Sequence, residues 1–379
     1  MPVTTTHASG LPTVGSSLPV AIVVALVLFG LGVLIARRVA RGDLFAGLAG
    51  VMIASVALHL ACAPAQIYVV DHFYGGVADW LRYDHQGSLL ADNVRNGHLT
   101  FAGTGIHRLL GDGAVSIAGA VIMTVVGPDQ LAAFFVSAWL AFVGTVFFYK
   151  AFAITFPESN RRRYALLVFL FPSLLFWTAD VSKEAIMLLA LGLTAYGMAL
   201  ILTRKGIGYL WALLGGALAV VVRPDELVIL VVAFAVAMVV RAITGSPARA
   251  RNLLRTVFAF VFVAAAVLIT AFVTAHFVHN LTGSGITNAL GKVSANNQGS
   301  GAGFGSSSVA YSTNPLWYPR DIYTVLFDPL PFSAHSTTQI FASLENTLIL
   351  VVILFSFRQL RSLPRACMRR PYVLAALLY

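Results

Sequence analysis

The feature that most constrains this chain is a succession of apolar runs, many close to 20 residues long, separated by short clusters of arginine. A run of about 20 apolar residues makes a helix long enough for a hydrocarbon core about 30 Å thick. A helix also satisfies its own backbone hydrogen bonds, which lipid cannot do for it. Runs at 18–36, 44–64, 130–149, 164–179, 184–203, 208–222, 225–241, 256–276 and 337–357 are the predicted spans, and a further one begins near 371. Composition agrees: 58% of residues are hydrophobic and 11% charged, where a soluble domain carries about 25% charged residues. The expectation is an all-α, polytopic integral membrane protein. It has about nine or ten transmembrane helices in a single transmembrane domain over residues 1–379.

The net charge of +10 is distributed in a way that excludes nucleic acid as the partner. Basic residues sit beside the apolar runs, as Arg37/Arg38/Arg41, Arg161–Arg163, Arg204/Lys205, Arg249/Arg251/Arg255 and Arg358/Arg361/Arg365/Arg369/Arg370. That is the positive-inside pattern of cytoplasmic loops. The first run is followed rather than preceded by arginines, which predicts an extracytoplasmic N-terminus. With those sides assigned, 18 of 25 Lys/Arg fall on the cytoplasmic side, whereas all Asp/Glu except Asp43 and Glu158 fall on the opposite one. The charge rule concerns Lys and Arg and does not explain this gathering of acids. Chemistry is therefore expected on the outer side. Cys62 and Cys367 stand alone and form no metal or disulfide pattern.

Two long outer segments are predicted, 65–112 and 277–336, the second rich in Gly, Ser and Asn before it tightens into "NPLWYPRDIYTVLFDPLPFSAH". The apolar segment 113–126 is too short to span and is assigned as re-entrant or interfacial. The runs flanking "RPDE" at 223–226 are also short, about 23 Å at about 1.5 Å per residue. The run 164–179 is interrupted by Pro172. Short hairpins keep their tips below the membrane surface, where a charge has to pair or line a wet cavity. Lys183, with Asp180 and Glu184, and Arg223, with Asp225 and Glu226, are thus candidates to line one cavity. The structural alternative is that Glu184 supports a helix start and that Arg223 and Asp225 cap a turn.

Candidate chemistry centres on "GGVADWLRYDHQG" in the first outer segment. Asp79 and Asp84 are candidate catalytic carboxylates, suited to act as base toward a sugar hydroxyl or to ligate a divalent cation such as Mg or Mn. Trp80, Tyr83 and His85 are candidate substrate contacts; the two aromatic rings serve equally as residues of an interfacial belt. In the last outer segment Arg320 suits bidentate phosphate binding, with Asp321 beside it. Glu345 lies inside the following apolar run and must face protein or water; a helix-packing carboxylate is its structural alternative. No Walker A, βαβ-linked GxGxxG, HExxH or GxSxG motif occurs, which argues against an ATP-driven pump, a dinucleotide enzyme or a zincin.

Those motifs carry a resemblance. "GGVADWLRYDHQG" looks like the first-loop acidic motif of multi-pass GT-C-type glycosyltransferases. "RRRYALLVFLFPSLLFWTADVSKEA", "VVRPDE" and "VLFDPLPFSAH" with "SLEN" resemble actinobacterial envelope proteins and Wzy-type polysaccharide polymerases. The resemblance implies a polyprenyl-phosphate- or polyprenyl-diphosphate-linked sugar donor and a glycan acceptor, used on the outer face of the membrane to build cell-envelope polysaccharide. It implies Asp79 as base or metal ligand, and Arg223 and Arg320 as phosphate contacts. The adjacent acidic pair of many GT-C enzymes is absent, since Ala78 precedes Asp79. Two other classes compete: a transporter or flippase for a lipid-linked glycan, and a non-catalytic membrane subunit working with other envelope-assembly proteins. The enzyme reading predicts that Asp79, Lys183, Arg223 and Arg320 converge.

Overall fold

The structure is a computed structural model that describes residues 14–73, 76–203, 205–244, 315–334, 337–357 and 361–379. The predicted span at 256–276 and most of the second outer segment lie outside the described residues. Among those described, every regular element is a helix. Among the described residues, four helices are long and apolar enough to cross a membrane: Leu18–Ala40, Leu48–Phe73, Gln130–Thr155 and Lys183–Leu202. The chain forms two compact units, Met1–Val232 with Tyr379, and Ala233–Leu378.

In the first unit, α1 (Leu18–Ala40) and α2 (Leu48–Phe73) are joined by a short turn. Next come α3 (Asp79–Arg95), α4 (Asp112–Val126), α5 (Gln130–Thr155), α6 (Arg161–Leu170), α7 (Pro172–Phe176), α8 (Lys183–Leu202) and α9 (Gly208–Val222). α10 (Pro224–Thr244) follows directly on Arg223. Pro172 splits the predicted 164–179 span into α6 and α7, because proline has no N–H for the helical ladder and its ring clashes with the preceding turn. The freed carbonyl of Phe169 is not left bare: the Ser55 hydroxyl of α2 donates to it at 2.7 Å.

Small residues set the closest packing. Gly144 of α5 faces Leu188 and Gly192 of α8; a Cβ on Gly144 would stand 2.6 Å from the Leu188 carbonyl oxygen. Farther along, Phe147 meets Tyr196, so α5 and α8 run parallel, with α6 and α7 returning between them. α9 runs back along α8: Gly215 lies against Ala190 and Thr194, and Gly208 against Ile201. Backbones this close gain dispersion contacts that a larger side chain would prevent.

The first predicted outer segment, 65–112, contains helix. α2 continues to Phe73, and residues 79–95 form α3 rather than loop. Trp80, Tyr83, Asp84, Gly87, Leu90 and Ala91 recur at helical spacing and form its buried face, a periodicity that charged neighbours conceal in the sequence. α3 then packs on α4, where Gly87 allows close approach to the Ser116 carbonyl. The 113–126 segment is helix α4, about 22 Å long at 1.5 Å per residue and ended by Gly127 at φ 99°.

The second unit contains α11 (Tyr318–Phe327), α12 (Thr337–Phe355), α13 (Leu363–Arg369) and α14 (Pro371–Leu378). The turn after α11 is held by Ser333, whose hydroxyl donates to Asp328 at 3.2 Å, and by Asn346 of α12, which donates to the Pro329 carbonyl at 3.3 Å.

Candidate functional site

One end of the first unit collects the starts of α1, α3, α4, α5 and α8 and the ends of α2 and α9. The Ser17 amide donates to Asp129 at the start of α5. Gln66 of α2 reaches Asp180 before α8, and the Gly111 amide before α4 donates to the Val221 carbonyl of α9 at 2.9 Å. Helix ends leave backbone and capping groups that demand polar partners, so polar and charged residues gather here.

Asp112, in the first turn of α4, is the hub of the outer layer. Its carboxylate accepts from Arg82 at 2.8 Å and from the Tyr83 hydroxyl at 3.1 Å, and forms an ion pair with Lys183. Gly111, at φ 67°, provides the left-handed turn that starts α4 there. Partial burial works against the Asp112 charge, but the Lys183 hydrogen bond and charge, with Arg82 and Tyr83, hold its pKa below the usual carboxylate range. Burial, reinforced by Asp112, pushes the Tyr83 phenol upward, so it remains a proton donor.

The neighbouring residue on α8 continues the network. Arg223 pairs with Glu184 at 2.7 Å and with Glu226 at 3.6 Å. Lys183 and Arg223, predicted to share a cavity, are thus connected at this end through consecutive residues of α8. Glu184, a candidate cavity residue whose structural alternative was to support the helix start, is Arg223's closest carboxylate. Asp79 opens α3, and its negative charge acts on Arg82 and Tyr83. Asp225 is exposed and His85 half-buried.

Beneath this layer lies a buried one. Asp84 of α3 and Asp180 are 1% and 6% exposed, with Gln66, Gln130 and Ser182 equally enclosed. Gln66 donates to Asp180 at 3.3 Å. Both Asp84 oxygens, one Asp180 oxygen, the Gln66 amide oxygen and the Ser182 hydroxyl have no hydrogen-bond partner among the described residues. Burial drives the Asp180 pKa up to about 6, against Gln66, which donates to the carboxylate, and the Glu184 charge adds to the rise. Burial also raises Asp84 well above the ordinary value; nearby Gln130 opposes that, and Asp180 reinforces it.

These positions revise several expectations. Asp84, a candidate catalytic carboxylate, is sealed inside, because it falls four residues after Trp80 on the buried face of α3. Trp80 packs edge-on to Phe134, with ring centres 5.1 Å apart, and Tyr83 is 2% exposed. Neither ring presents an open face to a sugar. In the second unit, the Arg320 guanidinium lies 5.5 Å from the Trp317 ring centre, and Glu345 is half-buried on α12. The Asp321 side chain lies outside what is described. No group of three or more His, Cys, Asp or Glu able to hold a metal occurs among the described residues, so the Mg or Mn expectation finds no ligand set there.

Asp112, Gln66 and Gln130 were missed as site residues in the sequence. Asp112 had a signal: an acid between two glycines, directly before an apolar helix-length run. The two glutamines stand at the polar margins of apolar runs, with nothing local to show that they meet. No protein-family model, curated protein or solved structure matches the chain.

Proposed function

We propose that this chain is a multi-pass glycosyltransferase or polymerase of a bacterial cytoplasmic membrane. It takes a sugar from a polyprenyl-phosphate or polyprenyl-diphosphate donor at the outer face and passes it to a glycan acceptor of the cell envelope. The single observation that carries the reading is that Arg82, Tyr83 and Lys183 meet on Asp112 while Arg223 pairs with the adjacent Glu184, at one end of an apolar helix bundle where Asp79 opens α3. Glycosyl transfer to a hydroxyl needs a base for the acceptor and positive charge for the departing phosphate. Asp79 is the base in this reading; Lys183, Arg82 and Arg223 neutralise the phosphate. The four long apolar helices support a bundle through which a lipid tail enters sideways while its head meets the charged end. The extracytoplasmic N-terminus and the nine or ten spans belong to the same proposal.

The test is incubation of the purified full chain with polyprenyl-diphosphate-linked sugars and a glycan acceptor. Transfer that falls at least a hundredfold in both Asp79→Asn and Arg223→Ala, with melting behaviour retained, supports the roles given. Retained activity in Asp79→Asn removes Asp79 as the base.

A second reading is favoured by the buried Asp84–Asp180 layer: a flippase or transporter of a lipid-linked glycan, since such proteins place ionisable groups inside the bundle. Fluorescent lipid-linked glycan reconstituted in vesicles separates the two. Translocation without bond formation selects the transporter.

A further inference from the structure

The hub at Asp112 has an unusual composition for a structural ion pair. α3 supplies a guanidinium and a phenol, α8 supplies an ammonium, and all three are aimed at one carboxylate from α4. Arg, Lys and a hydroxyl converging on a single point are the donors that bind a phosphate group. The carboxylate now between them is 46% exposed, Arg82 47% and Lys183 27%. Ion pairs this open to water contribute little. Exchanging Asp112 for a more highly charged oxyanion on the same donors is therefore a small step energetically. Arg223 is less available, because it is shared by Glu184 and Glu226.

We propose that Arg82, Tyr83 and Lys183 form a seat for the phosphate of an anionic ligand, and that Asp112 is its exchangeable resident. In the free protein the Asp112 carboxylate fills the seat and keeps the three donors aligned. On binding, the phosphate takes those donors and Asp112 is released to water. Asp112 thereby sets the affinity: it selects for groups that outbid a carboxylate, such as a diphosphate or phosphate monoester, over weaker anions. The inference rests on the reading of this end as the phosphate-handling end, but it concerns binding alone.

The experiment titrates the full chain in detergent with inorganic pyrophosphate and, separately, with a short-chain polyprenyl phosphate, following ligand-induced change in melting temperature and in thermophoresis. Asp112→Asn keeps the shape and removes the competing charge. The expected result is at least tenfold tighter binding of pyrophosphate than in the unsubstituted chain, a gain abolished by adding Arg82→Gln. An equal gain with both probes places recognition in the phosphate. A gain confined to the polyprenyl phosphate identifies a lipid headgroup as the ligand, with the tail contributing. Unchanged or weaker binding of both probes by folded Asp112→Asn overturns the proposal. Should that variant not fold, Tyr83→Phe and Lys183→Gln in the unsubstituted background are each expected to weaken binding at least threefold, and unchanged binding in both overturns it equally. A gain in anion affinity without any glycosyl transfer sinks the enzyme reading and leaves the seat. Transfer without the gain does the reverse.

Discussion

Replacing Asp180 by Asn should stabilise the protein at neutral pH and leave it unchanged in acid. The carboxyl is enclosed at 6% exposure, and its pKa rises from 3.8 to about 6. Below about pH 4, the folded and unfolded chains both carry the proton, so the group contributes nothing. Between about 4 and 6, the unfolded chain loses the proton while the folded one keeps it, and stability falls as pH rises. Above about 6 both are ionised, and the full penalty persists. At about 1.36 kcal/mol per pH unit, a displacement from 3.8 to about 6 amounts to about 3 kcal/mol. Asn has the same outline, and its carbonyl can still accept from Gln66, so the substitution removes the charge without opening a cavity.

Thermal unfolding of the full chain in detergent at pH 4.5, 6 and 8 measures this directly. The variant should exceed the parent by about 1 kcal/mol at pH 4.5, by most of the full difference at pH 6, and hold that margin at pH 8. Equal destabilisation at all three pH values would show that the substitution damages packing and that burial does not control the charge. Loss confined to pH 8 would reverse the sign and refute the reasoning outright. Asp84→Asn should change stability with pH in the same direction. The double variant should gain less than the two singles combined, because each carboxylate's charge raises the other's cost.

Two further outcomes test the packing that holds this end together. Gly192→Leu should cost about 1–3 kcal/mol or more by overpacking, since a Cβ there would already be 3.0 Å from the Gly144 carbonyl carbon. Gly50→Leu, where no atom lies within 4 Å of the added carbon, is the matched control for the same melting assay. Ser55→Ala should lower stability by about 1–3 kcal/mol by leaving the Phe169 carbonyl at the Pro172 break without its donor. A neutral result in melting would mean that another donor reaches that carbonyl.

What was legible in the sequence followed from contiguity. Apolar runs located α1, α2, α5 and α8, although α2 continues nine residues and α5 six beyond the predicted ends, and Pro172 marked the break between α6 and α7, because length and a missing N–H act locally. Lys183 and Arg223 could be assigned to one end because alternating helix directions follow from the order of the runs. What was hidden depends on phase and on distant partners. In α3 only one face is apolar, and the acids on it, Asp84 among them, look like solvent-facing loop residues until the Trp80–Gly87–Ala91 stripe is followed. The parallel contact of α5 with α8 rests on two lone glycines, Gly144 and Gly192, 48 positions apart, with no motif joining them. Asp112 acquires its meaning only when Arg82 and Lys183 arrive from other helices.

The two ends of the first unit solve the same problem in opposite ways, and the contrast bears on function. At the far end, Asp43 accepts from Tyr149 at 2.9 Å and Arg161 at 2.8 Å and also caps the Phe45 amide. Its side chain is 8% exposed and that of Arg161 14%. One carboxylate there serves one cation and two other donors in a nearly closed site, which suits a rivet between α5, α6 and the α1–α2 turn. At the near end, Asp79, Asp112, Glu184 and Glu226 surround Arg82, Lys183 and Arg223, with most of the paired side chains more than a quarter exposed. Stability alone would favour the first arrangement, because exposed pairs contribute little and crowded like charges repel. An open network with interchangeable partners is instead what a site needs if its cations must be surrendered to an incoming anion. The buried Asp84–Asp180 layer directly beneath carries a penalty that a purely structural core would avoid with apolar residues. Unpaired buried carboxylate oxygens gather at this end, whereas the far end leaves the Arg161 Nε without a partner among the described residues; acids left unpaired beside an open cation network are the distribution expected where binding, rather than packing, selected the residues.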